Sequence, residues 1–578
     1  MGSKYYESEL AYLREMGREF ALVHPSTAGL LAEKGSDPDV ERLLEGFAFL
    51  TARIRERIDD AAPEIVHGLL QLLLPHYLRP VPASAIIQYD PPLKALRGVH
   101  DIERGTRVAG KPLQGTACEF RTTQKVELIP LELEDVVLDE TKAAHPAIRL
   151  RFETTEAGRS LAMRRQGIRF FLHGEASTTA TLYTWICRHL EAVEIHRGAG
   201  DPISLSRDHV RPIGFGRDEA LLPWPVLGHE GYRYVQEYFT LPAKFLFFEI
   251  HDLNGIDLES DHFEITLRFE RPPELQARIS KDNFRLFCTP VINLFEVSAD
   301  PVKRDPKLYE YLLRAGGINP SHMEVYSVES VVGIRQGQAR RRQYPPFYGF
   351  EHVFDPESSY YTLRPTNSPI DDGIDTYLAI VTARNVPPVP DEEVLSIDLV
   401  CTNRSLPAEL RIGEISATPR GVSSVAPFKN ITPVTVPVRP RLGKELQWRL
   451  LSHMALNRTS LSAPQVLKTV LSLYNFQKET SPAAGRANEL KIESIREVSS
   501  DPVTRLMSGA PVRGVETHIE LDESKLGTVG EAYLFGCMLD ELFATHVPLN
   551  SFNELHCVLH PSKVEFRWPA RNGQRTIF

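Results

Sequence analysis

GYRYVQEYFTLPAKFLFFEI, residues 231–250, places seven aromatic side chains in twenty positions of a chain that is 9% aromatic overall. Arg233, Glu237, Lys244 and Glu249 exclude a membrane span, which needs about twenty mostly apolar residues almost free of charge. Tyr234 and Tyr238 stand one helical turn apart, which predicts a helix ended by Thr240-Leu241-Pro242. KFLFFEI then predicts a strand. That strand sets Leu246, Phe248 and Ile250 on one face and Phe245 and Phe247 on the other. Both faces are apolar, so both must be covered, by further layers of the fold or by a partner chain. The alternating strands nearby need a facing layer in any case, which favours a core role for this stretch.

Those strands lie on either side of it. IRLRFE turns Ile148, Leu150 and Phe152 inward and Arg149, Arg151 and Glu153 outward; GIRFFLH at 167–173 and FEITLRFE, with Phe263, Ile265, Leu267 and Phe269 inward, follow the same alternation. TATLYTWICRHL between them predicts a helix. Toward the N-terminus the spacing changes to three and four residues. Tyr6, Leu10, Leu13, Met16, Phe20 and Val23 stripe a first helix, and Ser36-Asp37-Pro38 starts a second, carrying Val40, Leu43, Leu44, Phe47, Leu50, Ile54 and Ile58. Pro63 opens a third, stopped by Pro75. Three such helices form a small bundle or pack on another protein.

Toward the C-terminus a proline-rich β region runs through NFRLFCTPVINLFE, EVYSVESVVGI, TYLAIVTA, VLSIDLVCTN and PVTVPVRPRL, closed by a helix at 445–457. Prolines there read first as edge protection and turn setting. The last eighty residues are the plainest: VETHIELD alternates, Thr528 and Glu531 cap a helix bearing Phe535, Met538 and Leu542, and KVEFRW returns with Val564, Phe566 and Trp568 inward. The expected class is therefore α+β. An N-terminal helical region (1–85) is followed by two β-rich domains (86–278 and 279–490) and a small C-terminal α/β-sandwich unit (491–578).

A chain of 578 residues with 66 Lys plus Arg against 76 Asp plus Glu, net −10, lacks the basic stripe of a nucleic-acid binder. Arg340, Arg341 and Arg342, just before Gln343-Tyr344-Pro345-Pro346-Phe347, form its basic cluster, read first as a solvated loop and second as a partner site. Six cysteines without CxxC pairing, and no secretory leader, read as a reduced cytosolic chain. No phosphate-cradling, dinucleotide, nucleophile-elbow or zincin motif occurs. Of the nineteen histidines, His546 and the pair His556-Cys557 come nearest to a ligand set. Neighbours on a strand point to opposite faces, so no metal is expected, and no cofactor or catalytic residue is assigned. Arg404 in CTNRSLP and Arg513 read as structural arginines that cap carbonyls or pair with acids.

Taken in order, YYESELAYLREMGREFALVHP, the aromatic stretch, NFRLFCTPVINLFE, EVYSVESV, CTNRSLP, WRLLSHMALN, PVRGVE and PLNSFNEL resemble the successive motifs of the type VI secretion baseplate family TssF, also called ImpG or VasA. The resemblance spans Tyr5 to Arg575. It implies a structural wedge subunit of a contractile injection machine and no catalysis. It also implies partners: two TssF copies with one TssG, TssK adaptors, TssE and the VgrG spike, in a cytoplasmic complex docked at the inner membrane without insertion. Tyr5, Tyr6, Leu10, Leu13 and Phe20 are then the expected partner-facing residues, with Arg340, Arg341 and Arg342 beside them. The alternatives are a wedge of a phage or phage-tail-like particle, and a β-rich hydrolase whose active site assembles from distant loops.

Overall fold

The computed structural model describes residues 6, 10–17, 38–59 and 63–573, apart from 95, 140–145, 163–166, 199, 226–227, 254–255, 257, 273–277, 306, 336–340, 349–357, 369–372, 383–392, 420, 422–424, 443–448, 450–451, 454–460, 479 and 508. The aromatic stretch folds as a helix, Glu230–Thr240, then a 3-10 turn, Pro242–Phe245, then a strand, Phe247–His251. The strand is shorter than KFLFFEI predicts. Pro242 fixes φ at the first position of the turn, and the Leu246 N–H closes it on the Ala243 carbonyl, so extended backbone begins only at Phe247.

Both faces of that strand are covered from within the chain. It pairs antiparallel with Gly167–Leu172 and Val210–Ile213, and Phe284–Leu286 completes the four-stranded sheet. On one face Phe248 stacks on Phe170 at 4.9 Å between centroids, and Phe170 reaches Phe152 at 6.2 Å. Phe152 belongs to a facing five-stranded antiparallel sheet, Leu131–Asp139, Ala147–Thr154, His262–Phe269, Leu190–His196 and Ile203–Ser206. The expected inward residues Ile148, Leu150, Phe263, Ile265, Leu267 and Phe269 are all buried there. On the other face Phe247 and Phe171 join Ile86, Ile292, Tyr326 and Val400, which come from two further sheets, and Leu294 from the link between them.

One of these, six-stranded, gathers Ile415–Ala417, Arg107–Gly110, Glu119–Thr122, Cys288–Ile292, Ser84–Tyr89 and Phe428–Asn430. NFRLFCTPVINLFE therefore serves three sheets in turn. Phe284–Leu286 lies in the four-stranded sheet, Cys288–Ile292 in the six-stranded one, and Phe295–Ser298 pairs with Glu393–Thr402 in a third, with a left-handed Phe287 (φ 57°) at the first junction.

The C-terminal sheet pairs Ile495–Met507 antiparallel with Ala510–Asp522, which runs parallel to Phe552–His560. A parallel pair needs a crossover, and the helix Val529–Ala544 supplies it, capped by the Thr528 hydroxyl accepting from the Glu531 N–H. This helix is buried on every side. It lies among the helix Ala176–Arg188, the aromatic helix and its own sheet, so one cluster of buried apolar side chains runs from Leu70 to Trp568.

Candidate partner interface

Charges in the aromatic stretch are buried and neutralised locally. Arg233 donates to Glu230 Oε2 at 2.7 Å, to Glu237 Oε2 at 3.2 Å and to the Phe215 carbonyl at 3.3 Å. Lys244 pairs with the same Glu237, whose other oxygen accepts from the Leu221 and Leu222 N–H groups at 2.8 and 3.0 Å. Burial pushes the Glu237 carboxyl up, but Lys244 and Arg233 more than offset this and hold it below its ordinary value; burial draws Lys244 down to about 8. Two acids face two bases, and each charge has at least one opposite charge within hydrogen-bond reach, which is how a buried ionic group persists in a core. A quartet so enclosed offers no exposed base or acid to a substrate.

Tyr232, next to Arg233, stacks on Tyr474 at 5.5 Å, and Tyr474 lies against Tyr77 at 5.7 Å. The Tyr77 hydroxyl is 2.8 Å from His453 Nε2. Burial, with His453 and Arg79 nearby, holds the His76 imidazole well below its ordinary pKa, so it packs as a neutral ring against Trp224 at 4.7 Å. The cysteines are inert for a similar reason: burial pushes Cys401 and Cys557 up to about 12.

A cavity of about 520 Å³ is lined by Arg404, Arg439, Arg449, Lys478, Phe476 and Glu324, among others. Its acidic member, Glu324, sits 3.5 Å from Arg439 and accepts the Ile374 N–H at 2.8 Å, so its carboxylate is already engaged by the fold. Arg404, with φ 52°, donates Nε–H to the Met323 carbonyl at 2.7 Å, the structural role expected of it. Exposed Arg513 contributes its carbonyl, which accepts from Ser551 Oγ at 2.7 Å.

The N-terminal helices differ from all of this. In Pro38–Asp59, Ala48 and Ala52 are covered by the chain, whereas Leu43 (74% exposed), Phe47 (61%) and Leu50 (61%), at helical steps of four and three, face solvent. Tyr12 and Met16 are exposed together four residues apart, and so are Leu69 and Leu73 of Pro63–Leu73. Three helices thus turn paired large apolar side chains outward, where a monomer would not leave them. The third is fixed to the body: an added Cβ at Gly68 would overlap the Tyr348 ring, so glycine lets that ring lie on the helix backbone.

Of the residues expected to meet partners, Leu10 is buried and Tyr6 and Leu13 are half-buried, while Tyr5 and Phe20 lie outside the described residues. Arg340 lies outside them too. Arg341 is exposed, and Arg342 stacks on Tyr344 at 5.2 Å and donates to Ser359 Oγ at 2.9 Å. Heptad-like spacing marks Leu43, Phe47 and Leu50 as an apolar stripe; it does not say whether the cover comes from the same chain. Cys557 turns into the core, as strand alternation requires, while His556 meets Glu516 and His518 of the neighbouring strand, a cross-strand grouping invisible in linear spacing.

The sequence model of the family described as type VI secretion system, TssF, matches residues 3–575. The chain is 32% identical to type VI secretion system component TssF1 of Pseudomonas aeruginosa, an alignment covering 99% of this chain and 98% of that protein. Among solved structures, a chain of the TssK-TssF-TssG baseplate subcomplex of a type VI secretion system superimposes with a TM-score of 0.76 at 27% identity, over 92% of this chain and 99% of the other. A chain of a type VI secretion baseplate complex superimposes with a TM-score of 0.62 at 26% identity, over the whole of both.

Proposed function

The chain belongs to the type VI secretion system TssF family, and from that premise we propose that it is a structural wedge subunit of the baseplate, working through the surfaces it mates and not through catalysis. The observation that carries this reading is the outward apolar stripe Leu43, Phe47 and Leu50, together with the exposed pairs Tyr12/Met16 and Leu69/Leu73. Large apolar side chains on helices are favoured where a second chain removes them from water, at about 25 cal/mol per Å² of apolar surface. The partners we infer are TssG and TssK, named together with TssF in the solved subcomplex. We further infer a second copy of this chain in a two-to-one wedge with TssG, and TssE and the VgrG spike around it. The N-terminal helices, including Tyr5, Tyr6, Leu10, Leu13 and Phe20, form the TssG-facing bundle in this reading, and Arg340, Arg341 and Arg342 a neighbouring polar contact. A cytoplasmic place, docked at the inner membrane, accords with the finding that no helix among the described residues is long and apolar enough to cross a bilayer.

Co-purification with TssG tests the assignment. The triple variant Leu43→Ser, Phe47→Ser, Leu50→Ser is expected to keep its circular dichroism and lose TssG. A chain lacking residues 1–25 is expected to show altered stoichiometry by mass measurement. Unchanged recovery of TssG by both would sink the reading.

A further inference from the structure

We infer that the outer face of the C-terminal sheet carries a binding site for a divalent transition ion, best fitted to Zn²⁺, formed by Glu516, His518 and His556. Strand alternation sends Val515, Thr517, Ile519 and Leu521 into the core, so Glu516 and His518 share the opposite face. The parallel register then sets His556 directly beside His518, their rings 5.2 Å apart. One donor atom from each of the three residues lies within 4.8 Å of the others. The His518 Nε2 to Glu516 Oε1 separation, 3.3 Å, already matches the edge of a tetrahedron with bonds of about 2.0 Å. The third donor, from His556, lies within 4.8 Å of the other two and has to leave Arg567 and Glu565 to close the set.

The surroundings favour a cation. Arg567 Nε–H now donates to His556 Nε2 at 3.1 Å, and Arg505 lies 3.5 Å from Glu516. An ion displaces both, yet neither guanidinium is stranded, because Arg567 keeps Glu565 at 3.5 Å and Arg505 keeps Glu554 at 3.2 Å. Glu516, Glu554 and Glu565 then outnumber the two arginines, leaving room for positive charge. Two imidazoles with one carboxylate suit Zn²⁺, Ni²⁺ or Cu²⁺ and not Mg²⁺ or Ca²⁺, which prefer all-oxygen sets. The bound ion would pin the two parallel strands on the face opposite the core.

Calorimetric titration of the untagged full-length chain with ZnCl₂ and, separately, MgCl₂ tests this. One Zn²⁺ per chain and no heat from Mg²⁺ are expected, with His518→Ala and His556→Ala each weakening Zn²⁺ by at least about tenfold. These side chains lie on the sheet face away from the core, so the variants should keep a cooperative thermal transition without metal. Arg567→Ala, which removes the competing donor, is expected to tighten Zn²⁺ a few-fold. The site is refuted if the wild type takes up no Zn²⁺, or if its affinity and stoichiometry survive in both histidine variants.

Discussion

At the scale of single residues, the charges that argue against a bilayer in the aromatic stretch turn out to be among the most enclosed groups in the molecule. Sequence shows that Arg233, Glu237 and Lys244 are charged; only the turn after Thr240 brings Lys244 onto Glu237. The central helix of the C-terminal unit holds a comparable case. Asp540 is buried against Arg571, and Arg571 also reaches Glu541 at 2.9 Å. Burial, opposed by Arg571, raises the Asp540 carboxyl to about 7. A raised carboxylate binds its proton more tightly in the folded state than in the unfolded one, so its contribution is fully present at low pH and is lost as pH rises from about 4 to about 7. Asp540→Asn removes that titration while Arg571 keeps Glu541. Urea midpoints measured at pH 5 and pH 7.5 should shift in favour of the variant, relative to wild type, at the higher pH. A constant difference at both pH values would show that Asp540 does not titrate in this window.

At the scale of elements, period-two and helical spacing identify most of what forms. IRLRFE, FEITLRFE, VETHIELD and TATLYTWICRHL fold as their patterns require, because each has one face on the core and local pattern reports burial directly. What pattern cannot report is which sheet a strand joins, as the threefold division of NFRLFCTPVINLFE illustrates, nor how closely two elements approach. The crossover helix touches Ala176–Arg188 through Gly530, where an added Cβ would lie 2.5 Å from the Ala180 carbonyl carbon, an immovable backbone atom. Gly530→Ala should therefore force the helices apart and lower stability by about 1–3 kcal/mol in urea unfolding. Gly46, in the interior of Pro38–Asp59, has nothing within 4 Å of the same position. There the substitution should raise stability by roughly 0.5–1 kcal/mol, because only helix propensity changes. Equal effects at the two sites would mean that the close contact at Gly530 is absent in solution.

At the scale of the molecule, the candidate surface was legible in kind and not in place. The N-terminal spacing announces apolar stripes that need cover, yet the division of Pro38–Asp59 into a covered side with Ala48 and Ala52 and a solvent-facing side with Leu43, Phe47 and Leu50 depends on tertiary packing that spacing does not encode. The same dependence governs the far end of the chain. Residues 491–578 read as a small sheet with one helix on it; a helix serving only its own sheet would present a polar side to water, and Val529–Ala544 has none. Its Phe535 lies 5.9 Å from Tyr238 of the aromatic helix, and its Tyr533 lies 6.2 Å from Tyr183. Cutting the chain near 491 would strip apolar cover from both fragments at once. Residues 491–578 expressed alone should therefore lack a cooperative thermal transition and should bind a hydrophobic dye, whereas co-expression with 1–490 should restore a soluble complex. A sharp melt for the isolated segment would mean that Tyr183, Tyr238 and their neighbours are dispensable to it, and that the sheet and its helix form an independent core.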